Sequence, residues 1–77
     1  MIRVRYFAAA AEAAGLDEET LPAGTFAEVK AAMIARHDAL EAVLPRCALL
    51  ADGERPSDGD PVPDGATLDV LPPFAGG

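Results

Sequence analysis

A chain of 77 residues, 51% of them apolar, has material for one hydrophobic core and not for two, so a single domain spanning residues 1–77 is expected. Six basic against thirteen acidic residues leave a net charge of -7, which repels a phosphate backbone and argues against nucleic acid as a partner. One cysteine, Cys47, and one histidine, His37, exclude an intramolecular disulfide and a Cys/His zinc cluster, so no metal site is expected.

The first element is a strand over residues 2–7, where Ile2, Val4 and Tyr6 alternate with Arg3, Arg5 and Phe7 in the period-2 pattern of a sheet with one inward face. Residues 8–14, AAAAEAA, have the highest helix propensity of the chain, and Gly15 follows as a natural stop. Residues 17–22, DEETLP, read as a weak, charged edge strand.

Thr25-Phe26-Ala27-Glu28 is a capping box, in which the Thr hydroxyl and the Glu carboxylate each satisfy an orphan amide at a helix start. The main helix begins there. Phe26, Val29, Met33, Leu40 and Leu44 then recur near a spacing of 3.6 and form one apolar stripe. Asp38-Ala39-Leu40-Glu41 resembles a second cap, which predicts a break near His37 before Pro45 ends the helix. His37 is expected as a solvated or a C-terminal helix residue rather than a ligand, since a cation is favoured at a helix C-terminus.

The run CALLA, residues 47–51, is almost wholly apolar and predicts a strand buried on both faces, with Cys47 in the core. Between Asp52 and Gly65 the pair Asp-Gly occurs three times among three prolines, which predicts turns and at most short edge strands. Ser57, the only serine, falls in this loop, away from the strand-to-helix setting of a nucleophile elbow. Residues 66–71, ATLDVL, form the last strand, and Pro72-Pro73 stop it. A main helix joining an early hairpin to later strands requires a right-handed crossover onto a mixed sheet, which is an α+β roll of the β-grasp kind.

The sequence closes on LPPFAGG. Pro72 and Pro73 favour an extended exit, so residues 72–77 are expected to form a flexible tail held away from the domain. A glycine pair at the very end arises by chance at about the 1% level, so simple fraying is the weaker account. Gly76 and Gly77 lack Cβ atoms and fit a channel too narrow for other residues, which makes the terminal carboxylate a candidate functional group. No apolar run approaches the ~20 residues of a membrane span and no signal peptide is evident. The expected location is therefore the cytoplasm, with no membrane partner.

Tyr6-Phe7-Ala8, the alanine-rich helix closed by Gly15, the Thr25 to Glu28 helix start, the Asp64-Gly65 turn and Pro72-Pro73-Phe74-Ala75-Gly76-Gly77 together resemble the small subunits of molybdopterin synthase. These are sulfur carriers of the MoaD/ThiS type with a ubiquitin-like β-grasp fold, a mixed sheet covered by one main helix. The resemblance implies that an E1-like adenylyltransferase/sulfurtransferase consumes ATP to adenylate Gly77, and that sulfur then displaces AMP to leave a thiocarboxylate. It implies no bound cofactor and no catalytic side chain in this chain itself. The tail would enter the large subunit of molybdopterin synthase, where sulfur passes to cyclic pyranopterin monophosphate during molybdenum cofactor biosynthesis.

By the same resemblance Phe7, Leu71, Pro72, Pro73, Phe74, Ala75 and Gly76 are the partner-binding residues. Phe7 is the exposed anchor, Phe74 packs on the partner, and for Leu71 core packing and docking both remain open. The family often has Asn where Asp52 stands, D-G-D-E-V where this chain has D-G-A-T-L, and an apolar residue where it has Arg55. Two alternatives remain: a carrier for thiamine or another thiolation pathway, and a ubiquitin-like modifier or plain interaction module.

Overall fold

The computed structural model describes residues 1–73. The chain runs through β1 (Ile2–Tyr6), α1 (Ala9–Ala14), β2 (Glu18–Leu21), β3 (Gly24–Thr25), α2 (Phe26–Arg36), α3 (Leu40–Val43), a 3-10 turn (Leu44–Arg46), β4 (Ala48–Ala51), β5 (Pro61–Val62) and β6 (Thr67–Leu71). Four strands form one mixed sheet in the order β2-β1-β6-β4, and β3 pairs with β5 in a separate ribbon. Only the central pair, β1 and β6, is parallel, while β2 and β4 pair antiparallel at the two edges.

The inward face follows from the alternation. Ile2, Val4 and Tyr6 of β1 and Leu68 and Val70 of β6 are buried against Phe26, Val29 and Met33 of α2, with Leu40 and Leu44 extending the same stripe. Water is excluded from one side of the sheet only, which leaves the other side open. The Thr25 capping box is present in full: the Glu28 amide donates to Thr25 Oγ1 at 3.2 Å, and the Thr25 amide donates to Glu28 Oε1 at 2.8 Å.

Three expectations need correction. Residues 47–51 do not form a doubly buried strand, because β4 is an edge strand on which Leu49 alone is buried. The helix does break after Arg36, but Asp38 makes no side-chain cap. Ala39 occupies the N-cap, and the Glu41 amide donates to the Asp38 backbone oxygen at 3.1 Å. Strand β1 ends at Tyr6 and α1 starts at Ala9 because Ala8 turns the chain at φ 49°, ψ -122°, outside both strand and helix geometry. His37 stands at the C-terminus of α2, one of its two expected settings, with its side chain 18% exposed and its Nε2 2.8 Å from Glu19 Oε2.

The loop from Asp52 contains turns and one short strand, as expected. Asp52 (φ 49°) and Gly53 (φ 86°) give the paired positive φ values of a two-residue hairpin turn, a geometry that Asp and Asn both tolerate. The Asn-to-Asp difference therefore keeps the turn.

Candidate functional site

Because β1 and β6 run parallel, their C-terminal ends lie at the same end of the sheet. The register Tyr6↔Val70, continued by the Phe7 amide donating to the Val70 carbonyl at 3.2 Å, sets Phe7 beside Leu71. Tyr6 and Val70 point inward, so the period of the strands turns Phe7 and Leu71 to the open side. Phe7 is 39% exposed, Leu71 and Pro72 are half-buried, and Pro73 is exposed. Phe74, Ala75, Gly76 and Gly77, four of the expected site residues, lie outside the described residues.

The open face continues across β4. Ala48 stands opposite Leu71, and Leu50 stands opposite Asp69, so Phe7, Leu71, Ala48 and Leu50 make an apolar corner where β6 ends. Behind that corner runs a row of charge: Glu18, Arg5, Asp69. The Arg5 guanidinium donates to Asp69 through Nε at 2.7 Å and through a terminal nitrogen at 3.2 Å. Its carbon lies 5.5 Å from the centroid of the Phe7 ring. The hydrogen bond and charge of Asp69 hold the Arg5 pKa above its ordinary value. A depression of about 350 Å³ beside Phe7 is bordered by Arg5, Ala8, Ala11, Asp17 and Glu18.

The strained Ala8 is part of this corner. An L-residue with a Cβ is rarely found at its φ and ψ, and such outliers persist where surrounding structure over-determines them. Here the Phe7 bond to Val70 fixes one side, and the Ala10 amide bond to the Phe7 carbonyl at 3.0 Å fixes the other. Beneath the corner, on the inward face, the Tyr6 hydroxyl donates to Glu19 at 2.7 Å, and the Arg36 Nε donates to the other carboxylate oxygen at 2.9 Å. Burial opposes the Glu19 charge, but the bonds from Tyr6 and His37 and the charges of His37 and Arg36 outweigh it and hold the carboxyl below its ordinary value. Burial, then the bond to Glu19, pushes the Tyr6 hydroxyl far up.

Cys47 lies on a different flank, in an open groove of about 690 Å³ between α2 and β4. It is half-buried against the core rather than fully within it, and its Sγ donates to the Val43 carbonyl at 3.3 Å. Burial pushes its thiol up, opposite to the shift that makes a cysteine a nucleophile. The structure sets the expected docking residues Phe7 and Leu71 side by side on the open face, next to Arg5, Asp69, Ala48 and Leu50, which sequence reasoning did not single out. The outward position of Arg5 was visible in the alternation of β1; its partner was not, because the pairing needs the parallel register.

Among the described residues no helix is long and apolar enough to cross a membrane. The family model of ThiS matches residues 4–77. A protein of Chlamydomonas reinhardtii named "molybdopterin synthase sulfur carrier subunit" is 37% identical over 81 residues, covering 99% of this chain and 98% of its own. A structure from Pyrococcus furiosus, described as molybdopterin converting factor subunit 1, superposes with a TM-score of 0.83 at 25% identity, over 95% of this chain and 97% of that one. The small archaeal modifier protein 1 of Haloferax volcanii superposes with a TM-score of 0.78 at 25% identity, over 95% of this chain and 97% of that one. The fold is accordingly the β-grasp expected from the order of elements, in the ubiquitin-like form that the resemblance implied.

Proposed function

This chain belongs to the ThiS family, and we propose that it is the sulfur carrier subunit of a molybdopterin synthase, carrying sulfur as a thiocarboxylate on Gly77. The observation that carries the reading is the 37% identity to a named sulfur carrier subunit over nearly the full length of both chains. The chain by itself is a donor subunit and not a catalyst. Two features support the finer chemistry: the family match extends to Gly77, and the exit from β6 adjoins the apolar corner of Phe7 and Leu71.

A carboxylate resists nucleophiles because an oxide is a poor leaving group. In the proposed route an E1-like partner brings ATP, the Gly77 carboxylate oxygen attacks the α-phosphorus, and pyrophosphate leaves. A sulfur nucleophile then attacks the acyl carbon, the C–O bond to AMP breaks, and the thiocarboxylate remains. The large synthase subunit is the second partner. It supplies the catalytic side chains and receives the tail, and the sulfur goes to a pterin precursor of the molybdenum cofactor. The apolar corner serves as the docking surface, since exposed aromatic anchors dominate such contacts.

The likeness to a small archaeal modifier protein favours a second reading, a modifier joined through its terminal carboxyl to lysine amines. Intact mass measurement after incubation with the activating enzyme, ATP and a sulfide donor tests both. A shift equal to replacing one oxygen by sulfur at Gly77 is the expected result. An unmodified terminus, with the enzyme active on another carrier, would overturn it; conjugates to lysine in its place would favour the modifier.

A further inference from the structure

Docking through Phe7 needs more than an exposed ring. A phenyl group on the open face at a strand end samples several rotamers, and freezing it on binding costs affinity. In this chain the ring has a fixed neighbour. Arg5 lies two residues earlier on the same face of β1, with its guanidinium carbon 5.5 Å from the Phe7 ring centroid. Arg5 is in turn held by both oxygens of Asp69, at 2.7 and 3.2 Å. Asp69 is directly opposite it in the parallel register of β6, two residues before Leu71.

We propose that Arg5 is a positioning residue, clamped by Asp69 so that its guanidinium plane fixes the Phe7 ring in the orientation the partner binds. The inference rests on the docking role assigned above to Phe7. A guanidinium suits the task for two reasons. Its planar fork matches a carboxylate through two bonds, which fixes its plane, and its flat face then lies against an aromatic ring. A lysine offers a point charge without either constraint. The pair itself adds little stability, since the Arg5 side chain is close to half exposed. Its effect is on orientation, and it extends the docking determinants from the tail and Phe7 to the charged row behind them.

The geometry predicts a specific energetic pattern. Removing either Arg5 or Asp69 frees the ring, so the two losses should be alike and should not add. Once Phe7 is truncated, Arg5 has no ring to hold, and its removal should cost nothing more. A coupling of this kind is what a double-mutant cycle isolates.

The test measures binding of the full chain to the large synthase subunit by calorimetry, for wild type, Arg5→Gln, Arg5→Lys, Asp69→Asn, Phe7→Ala and the Arg5→Gln/Phe7→Ala double variant. Amide NMR spectra establish that each variant is folded. Arg5→Gln and Asp69→Asn are expected to weaken binding about three- to fivefold, the size of an exposed cation–π contact, and Arg5→Lys to recover only part of it. In the Phe7→Ala background Arg5→Gln should change nothing. The Arg5 Nε–H resonance, displaced by the ring in the wild type, should move toward its ordinary position in both Asp69→Asn and Phe7→Ala.

An Arg5→Gln affinity equal to wild type, with Phe7→Ala weakened, would overturn the positioning role and leave the docking role intact. Equal weakening by Arg5→Gln in both backgrounds would also overturn it, by making Arg5 a direct partner contact. Unchanged binding by Phe7→Ala would overturn the docking reading together with this one.

Discussion

The Tyr6 hydroxyl donates to the Glu19 carboxylate at 2.7 Å, joining the inward end of β1 to the edge strand β2 immediately behind the corner that presents Phe7. The Glu19 side chain is 6% exposed and also meets Arg36 and His37 at the end of α2, so one carboxylate links three elements. Its loss is costly, since Tyr6 is buried and His37 is mostly buried, so both lose their partner and regain little water in its place.

Glu19→Gln should therefore destabilise the fold by about 1–3 kcal/mol at neutral pH. The pH dependence has a fixed sign. A carboxyl held below its ordinary value of 4.5 adds stability that is complete above that value and is lost as pH falls through the lower folded value. Tyr6, raised above its ordinary 10.0, adds stability that is complete below that value and is lost as pH rises toward its folded one. Thermal melts across pH should show Glu19→Gln with a flatter acid limb and Tyr6→Phe with a flatter alkaline limb. Acid limbs of equal slope in Glu19→Gln and wild type would refute the assignment.

Ala8→Gly should raise stability although it replaces the best helix former with a poor one. Ala8 sits outside α1 at φ 49°, ψ -122°, where a Cβ costs about 1–3 kcal/mol. The added freedom of glycine in the unfolded chain takes back about 0.5–1 kcal/mol. The net gain of about 1 kcal/mol corresponds to a Tm rise of about 4–8 °C in a domain of this size. A fall in Tm by calorimetry would mean that Ala8 is not strained.

Phe7→Asp should leave a folded protein with poor affinity for the large subunit. The ring lies on the open face, so stability should change by no more than about 1 kcal/mol, whereas loss of an aromatic anchor should cost about 2 kcal/mol of binding, roughly thirtyfold. Titration calorimetry beside a thermal melt separates the two. Lost folding with retained affinity per folded molecule would reverse the roles of core and surface at this position.

Much of the fold was legible because each signal was local. Ile2, Val4 and Tyr6 alternate, Thr25 and Glu28 are three residues apart, and the stripe from Phe26 to Leu44 repeats at the helical period. The misreading of residues 47–51 has a physical source. Ala48 and Leu50 are apolar on the outer face of β4, where they border Leu71, and periodicity cannot separate an apolar side chain on the open face from one facing the core. The false sign of a doubly buried strand was thus the apolar corner itself. Arg5 with Asp69, 64 residues apart, and Glu19 with His37 were invisible for another reason. Each pair exists only once the topology has placed the strands and the helix end together.

Met33→Ala should unfold a large part of the population. Met33 is fully buried at the centre of the α2 stripe, and truncating such a residue costs about 2–5 kcal/mol. That is close to the 3–5 kcal/mol that one small core supplies. A urea midpoint within error of wild type would contradict the burial of this side chain.

Removal of Gly77 should have the opposite profile, with function abolished and stability retained. Among the described residues the buried core ends at Val70, and the apolar corner formed by Phe7 and Leu71 is complete without the tail, so binding to the large subunit should persist. The proposed chemistry resides in the terminal carboxyl. Without Gly77 the carboxylate moves to Gly76 and falls short of the activating site by one residue, about 3.3–3.6 Å of extended chain. Such a displacement from productive geometry is enough to cost orders of magnitude in rate. The measurements are a thermal melt, binding to the large subunit, and sulfur incorporation by intact mass. An unchanged melt with no sulfur taken up is the expected pair. Normal sulfur incorporation at Gly76 would remove Gly77 as the site of transfer, while a loss of stability as large as that of Met33→Ala would make Gly77 a structural residue.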